Sequence, residues 1–168
     1  MSRILVPTDG SPNSLYGVRH AAKEFLKNRE LDIHVLNVQR PFSSQVARFT
    51  STRDRMAFHE EQADKALRAA RQALDRLFVP YTIHTEVGDP ADCIAEVARR
   101  LRCDRIVMST ARKGSLVRWL SDSVTNGVIQ RTTVPVEVIA GNVASSLERL
   151  GIPAGVGAGL LVAGMAAE

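Results

Sequence analysis

Short apolar runs alternate with longer stretches of helical periodicity along most of this chain. Between the runs, apolar residues recur every three or four positions, which is typical of one buried helix face. The order is β-α-β-α-β-α-β-α-β, which predicts a parallel sheet with helices on both faces. The strands are predicted at residues 3–7, 32–38, 80–87, 104–109 and 134–140, and the helices at 12–26, 54–78, 90–101 and about 120–130.

Two helix starts carry recognisable capping sequences. Ser11 is a good N-cap, and Pro12 suits the first helical position. Asp89 and Pro90 form the same pair before the helix at 90–101. We therefore expect these helices to begin at the two prolines, whereas residues 39–53 are predicted to be a polar connection.

The strand order also predicts where a ligand would bind. In a doubly wound parallel sheet, ligands lie beyond the carboxyl ends of the strands, where the winding direction reverses. The segments there are Pro7 to Asp9, the residues from Val38 onward, and the residues from Ser109 onward. We expect all three to meet in one cleft.

Composition excludes several classes of protein. With 168 residues, 45% hydrophobic and 24% charged, the chain has the make-up of one globular domain. The net charge of +4 is spread along helices and aromatic residues are only 5%, so we do not expect nucleic-acid binding. The amino-terminal apolar run is too short for a signal peptide, which favours the cytoplasm.

Residues capable of catalysis or metal binding form no recognised pattern. Cys93 and Cys103 lack redox or metal spacing, so we expect reduced thiols. No GxSxG sequence is present, and a lone histidine is more often structural. We therefore expect no enzyme and no metal site, although histidines occur at His20, His34, His59 and His84.

The end of the chain differs from the rest. We predict a domain over residues 1–141 and a Gly/Ala-rich apolar tail over 142–168. Residues 151–167 carry no charge, but this stretch is at the short limit for a membrane span. Three interpretations stay open: a mobile appendage, a helix packed on itself or a partner, and a peripheral membrane contact.

Four segments in fixed order resemble the universal stress protein family. They are ILVPTDGS at 4–11, VGDPADCIAEVA at 87–98, CDRIVMST at 103–110, and VPV at 134–136. The resemblance implies an open α/β fold with a five-stranded parallel sheet, similar to Rossmann folds and to adenine-nucleotide α-hydrolases. It also implies a homodimer through the last strand, which is predicted to begin at Val134 and end at Ala140. Val136, Val138 and Ile139 would face either that interface or the core.

Family members that bind ATP carry the run G-x-x-G-x(9)-G-[ST] after the fourth strand. Here Ser109, Arg112 and Asp122 stand at the three glycine positions, and Ser123 keeps the closing position. Side chains at glycine sites block close approach of the backbone to phosphates. Asp122 would also repel them, by roughly 4 kcal/mol for unit charges about 4 Å apart. The resemblance therefore implies weak or no ATP binding.

Other positions match the family's nucleoside pocket. Asp9 would contact the nucleoside, or it could only form a turn with Gly10 and Ser11. Arg112 and Asp122 could pair across the loop, or both could be solvated. The matched cleft residues are Pro7, Thr8, Asp9, Val38, Met108, Val124 and Thr125.

These observations favour a non-enzymatic, dimeric stress-response or regulatory module that acts through unidentified protein partners and needs no cofactor. The alternative is a nucleotide switch of the same family that binds ATP or AMP.

Overall fold

The structure, a computed structural model, describes residues 2–110 and 124–140. Five strands and five helices lie in these ranges and follow the predicted alternation. The strands are β1 (Ser2–Pro7), β2 (Leu31–Gln39), β3 (Thr82–Val87), β4 (Arg105–Thr110) and β5 (Val136–Ala140). The helices are α1 (Leu15–Lys27), α2 (Ser44–Phe49), α3 (Thr52–Asp75), α4 (Pro90–Arg100) and α5 (Val124–Arg131).

All five strands form one parallel sheet in the order β3-β2-β1-β4-β5. The chain runs outward from β1 to β3, then returns to place β4 on the other side of β1. The winding direction therefore reverses between β1 and β4. The predicted α/β fold is confirmed, and β5 lies at an edge of the sheet as expected.

Neighbouring residues of the central strands point to opposite faces, and both faces are buried. Ile4 and Val6 of β1 pack under α1 and α3, together with Ile33 and Val35 of β2. Leu5, between the first two, belongs to a second core. This burial on both sides explains why the strands are continuous apolar runs. The second core lies under α4 and α5 and includes Leu36, Ile94, Val97, Ile106, Met108 and Val128.

The two predicted helix starts had different outcomes. Asp89 caps α4 as expected, since its Oδ1 accepts hydrogen bonds from the N–H groups of Ala91 and Asp92. The prediction for α1 was wrong, because that helix begins at Leu15. The Ser11 hydroxyl accepts the N–H of Ser14 at 3.1 Å, so Ser11 closes a turn that precedes the helix.

Other boundaries also moved. The connection at 39–53, predicted to be polar loop, contains α2, which buries none of its residues and so has no apolar periodicity to detect. Helix α3 begins at Thr52 and ends at Asp75, before a turn in which Phe78 takes a φ of 52°. Strand β5 begins at Val136, after Pro135, which lacks a backbone N–H.

The cysteines behave as predicted, because Cys93 and Cys103 are both free thiols. Burial raises the pKa of Cys103 to about 11. Within residues 2–110 and 124–140, no helix has both the length and the apolar character needed to cross a bilayer. The tail predicted at 142–168 lies outside the described residues.

Candidate functional site

A cavity of about 450 Å³ lies at the carboxyl ends of β1, β2 and β4, where the winding reverses. Its position is the one that the sheet topology predicts. It brings together every predicted site residue that the structure describes: Pro7, Thr8, Asp9, Val38, Met108, Ser109, Val124 and Thr125. The other three predicted residues, Arg112, Asp122 and Ser123, lie outside the described residues, and so does the hypothetical pair of Arg112 with Asp122.

The loop after β1 forms one wall and is held by buried hydrogen bonds. The backbone N–H of Thr8 donates to Leu36 O at 2.8 Å, and the Asn37 side-chain amide donates to Thr8 O at 2.7 Å. The Thr8 and Ser14 hydroxyls are hydrogen-bonded at 2.8 Å. These bonds fix the loop to β2 and to the start of α1, so this wall is preorganised.

Gly10 lets the same loop pass beneath α3. Its φ is +81°, in the left-handed region that favours glycine. A Cβ atom at this position would lie 2.6 Å from the Cα of Ala66 and 2.8 Å from its carbonyl oxygen. The loop and the helix backbone are therefore as close as a glycine allows.

Asp9 forms the turn that was one of its two predicted roles. Its Oδ1 accepts the N–H of Ser11 at 2.9 Å. Partial loss of water around the carboxyl group opposes ionisation, but hydrogen bonds from Ser11 and Ser14 outweigh it and lower the pKa of Asp9. The side chain is exposed and lines the cavity. Asp9 thus presents an ionised carboxylate there, whether or not a ligand uses it.

The opposite side of the cavity is apolar. Val38 and Met108 belong to the second core or pack against it, and Ile94 of α4 adjoins them. Ser109 adds a polar group but is already engaged, since its hydroxyl donates to Asn13 O at 2.7 Å. One apolar wall facing hydroxyl and carboxylate groups suits a ligand with a flat hydrophobic part and a polar sugar.

Arg40 lines the cavity and was not predicted. Leu36, Val38 and Arg40 all line it, as expected when alternate residues face one side of a strand. Continuing the alternation past Val38 would have found this residue. The remaining lining residues that were not predicted are Ser11, Asn13, Ser14, Leu36, Pro90 and Ile94.

Comparison with known proteins agrees with this geometry. The sequence profile of the universal stress protein family matches residues 1–140. The chain belongs to this family. It is 36% identical over 142 residues to universal stress protein MJ0531 of Methanocaldococcus jannaschii, a match that covers 82% of this chain and 81% of that protein.

Solved structures show the same fold at lower identity. A universal stress protein in complex with cAMP superposes with a TM-score of 0.65 at 21% identity, covering 84% of this chain and 98% of that one. A universal stress protein from Archaeoglobus fulgidus in complex with dAMP gives 0.60 at 22% identity, with coverage of 83% and 98%. The expected Rossmann-like architecture is therefore confirmed.

Proposed function

We propose that this universal stress protein is a non-enzymatic regulatory module whose cavity binds the nucleoside part of an adenine nucleotide, with weak or no binding of ATP. It works in the cytoplasm as a homodimer and signals through protein partners. The observation that carries the proposal is the cavity itself, which is preformed and of ligand size. The described positions that match the family's nucleoside pocket all line it, whereas in the sequence the glycines that would admit a triphosphate are replaced.

The nucleoside side fits such a ligand in size and chemistry. A volume of about 450 Å³ lies within the ordinary range for small-molecule sites. Val38 and Met108 offer an apolar surface to a base, and the Asp9 carboxylate can accept hydrogen bonds from ribose hydroxyls or an adenine amine. The two structural relatives described above were solved with nucleotides that carry a single phosphate, cAMP and dAMP.

The phosphate side argues against tight ATP binding. Arg112 and Asp122 replace two glycines of the family's phosphate run, and Ser109 replaces the third. A carboxylate about 4 Å from a phosphate oxygen costs roughly 4 kcal/mol, which is close to a thousandfold in affinity. Arg40 at the cavity offers one positive charge, which suits a monophosphate better than a triphosphate.

A non-enzymatic role is supported by the chemistry of the lining. The part of the cavity wall that the structure describes offers hydroxyl groups, one carboxylate and one guanidinium, but no imidazole or thiol. A hydroxyl needs a neighbouring base to act as a nucleophile, and the Asp9 carboxylate beside Ser11 and Ser14 is a weak base because hydrogen bonds lower its pKa. Dimerisation is supported by β5, an edge strand whose unpaired backbone groups can add a second chain.

Titration calorimetry with AMP and ATP tests the proposal. We expect wild-type protein to bind AMP more tightly than ATP. Asp9→Asn should weaken AMP binding by about 10- to 100-fold, because it removes a charged hydrogen-bond acceptor. Asparagine retains an oxygen for the Ser11 N–H, so the turn is preserved. The exposed carboxylate of Asp64, on α3, provides a matched control as Asp64→Asn, which should leave affinity unchanged.

The double variant Arg112→Gly/Asp122→Gly separates this proposal from the ATP-switch alternative. It restores two glycines of the family run and should increase ATP affinity while leaving AMP affinity nearly unchanged. If wild-type protein already binds ATP more tightly than AMP and the double variant does not increase ATP affinity, the ATP-switch alternative is correct. If neither nucleotide binds wild-type protein, the cavity has another ligand.

A further inference from the structure

A cluster of charged side chains lies away from the nucleotide cavity, between α1 and the strands β4 and β5. It contains His20 and Glu24 of α1, Arg105 of β4 and Glu137 of β5. Arg105 begins its strand and Glu137 is the second residue of the next, so the cluster lies near the amino ends of the strands. The cavity is at the carboxyl ends, and no residue is shared between the two.

Three potential ligand atoms converge in this cluster. The Nε2 atom of His20 lies 2.9 Å from Glu137 Oε1 and 3.6 Å from Glu24 Oε1. All three atoms lie within 4.8 Å of one another. A tetrahedral zinc ion with bonds of about 2.0 Å separates its ligands by about 3.3 Å. The two distances from Nε2 lie on either side of that value.

The imidazole nitrogen of His20 is one of three buried side-chain atoms that lack a hydrogen-bond partner among the described residues; the others are His59 Nδ1 and Arg105 Nε. His20 Nε2 is sealed from solvent, yet among the described residues it has no hydrogen-bond partner of acceptable geometry. Because Glu137 Oε1 is close enough, the direction must be unsuitable for an N–H···O bond. A buried polar atom without a partner is costly, and an ion at the common centre would satisfy it.

Arg105 contacts the second carboxylate oxygen, Oε2, of both Glu24 and Glu137. Its Nη2 atom contacts Glu24 Oε2, and its Nη1 atom lies 3.3 Å from Glu137 Oε2. The guanidinium therefore holds both carboxylates while their Oε1 atoms face His20. The contact with Glu24 is a hydrogen bond and the contact with Glu137 is an ion pair, and hydrogen bonds to carboxylate ligands orient them in metal sites. With a neutral imidazole, the two carboxylates and one guanidinium leave a net charge of −1, which favours a cation.

We propose that His20, Glu24 and Glu137 bind one divalent transition-metal ion of the zinc class, with a water completing the coordination. The imidazole ligand and the small ligand number distinguish this site from magnesium and calcium sites, which use mainly oxygen ligands in six to eight positions. His20 and Glu24 are four residues apart, and therefore lie on the same face of α1.

Zinc binding to the full-length chain tests the proposal. Protein stripped with a chelator and dialysed is titrated with zinc in competition with a chromogenic chelator. We expect one zinc per chain. His20→Gln and Glu137→Gln should each weaken binding at least about tenfold, since even residues behind the ligands change affinity by 10- to 100-fold. His84→Gln is the matched control and should leave zinc affinity unchanged. His84 lies outside the cluster, and its Nε2 atom is 2.8 Å from Nδ1 of His34.

Cobalt(II) substitution of the wild-type protein is a second measurement that depends on no variant. A tetrahedral or five-coordinate d–d spectrum without thiolate charge transfer is expected, because the ligands are nitrogen and oxygen. A thiolate band would assign the ion to Cys93 or Cys103 and overturn the proposal. So would the absence of stoichiometric zinc binding, unchanged affinity in both ligand variants, or loss of binding in His84→Gln. Each of these results would leave the cluster as a network of ion-pair contacts without a metal ion.

Discussion

Replacing Gly10 with alanine should destabilise the protein strongly, because two independent costs meet at this position. The residue has a φ of +81°, and an L-residue in the left-handed region costs about 1–2 kcal/mol. The added Cβ would lie 2.6 Å from Ala66 Cα, and both it and the nearby carbonyl are backbone atoms. No side-chain rotation relieves that contact, so either α3 or the loop must move.

The magnitude follows from adding these costs. Overpacking a tight interface typically costs about 1–3 kcal/mol. Together with the strain in φ, Gly10→Ala should lower the free energy of unfolding by about 2–5 kcal/mol. Because domains of this kind are stable by only about 5–15 kcal/mol, this is a large fraction of the total.

Gly17→Ala is the matched control and should have the opposite sign. Gly17 lies inside α1, and a Cβ there would meet nothing closer than Val107 O at 3.5 Å, an ordinary contact. Replacing a glycine in a helix with alanine stabilises by about 0.5–1 kcal/mol. The same chemical change should therefore destabilise at one glycine and stabilise at the other.

Urea unfolding at equilibrium measures both variants, and an unchanged m-value would show that the transition still compares the same two states. The Gly10→Ala variant should also bind AMP more weakly, because Thr8, Asp9 and Ser11 of the same loop line the cavity. If Gly10→Ala unfolds within about 1 kcal/mol of wild type, the close packing of this loop on α3 is refuted.

Two further predictions concern the edge strand β5 and the pair formed by His34 and His84, whose ring nitrogens lie 2.8 Å apart. Val138→Glu on β5 should convert the proposed dimer to a monomer in sedimentation equilibrium, whereas Val87→Glu on the opposite edge strand should not; both side chains are exposed, at 41% and 47%. A Val138→Glu protein that remains dimeric contradicts the β5 interface. Burial, followed by the charge of His34, lowers the pKa of His84 below its ordinary 6.5. As the pH falls, the unfolded chain therefore takes up this proton before the folded chain does. The free energy of unfolding should then decrease as the pH drops below about 6.5. His84→Gln should reduce that loss in urea titrations between pH 7 and 5, above the range where the carboxyls of Asp9, Asp32 and Asp104 take up protons; an unchanged pH profile would exclude His84 as its source.

The fold was predictable because the strongest signals in the sequence are those of the core. Ile106 and Val107 are both completely buried, one on each face of the sheet, and a run of this kind is a clear signature of a central parallel strand. The pair Asp89 and Pro90 marked the start of α4 correctly, since the Asp89 side chain accepts a hydrogen bond from an N–H group in the first turn. Ser11 with Pro12 failed because the same serine–amide bond also closes a turn that ends before α1 begins.

The nucleotide cavity was predictable for a topological reason. Once β1 and β4 are known to be neighbours, their carboxyl ends must meet, and every residue just beyond them becomes a candidate without any knowledge of side-chain direction. Arg40 was not named as a site residue because it lies just beyond the end of β2, and the prediction that residues from Val38 onward reach the cleft did not say which of them face it.

The cluster around His20 could not be predicted in this way, because it depends on where individual side chains point. His20 and Glu24 are close in sequence, but Glu137 joins them only because β5 pairs with β4 in a register that places Val107 opposite Glu137. A shift of one residue would turn Glu137 to the other face of the sheet, and Arg105 would lose one of its two carboxylates. The spacing of residues along the sequence does not specify that register. A metal titration of the folded protein is therefore the appropriate way to detect such a site, whereas the nucleotide cavity follows from the order of the strands.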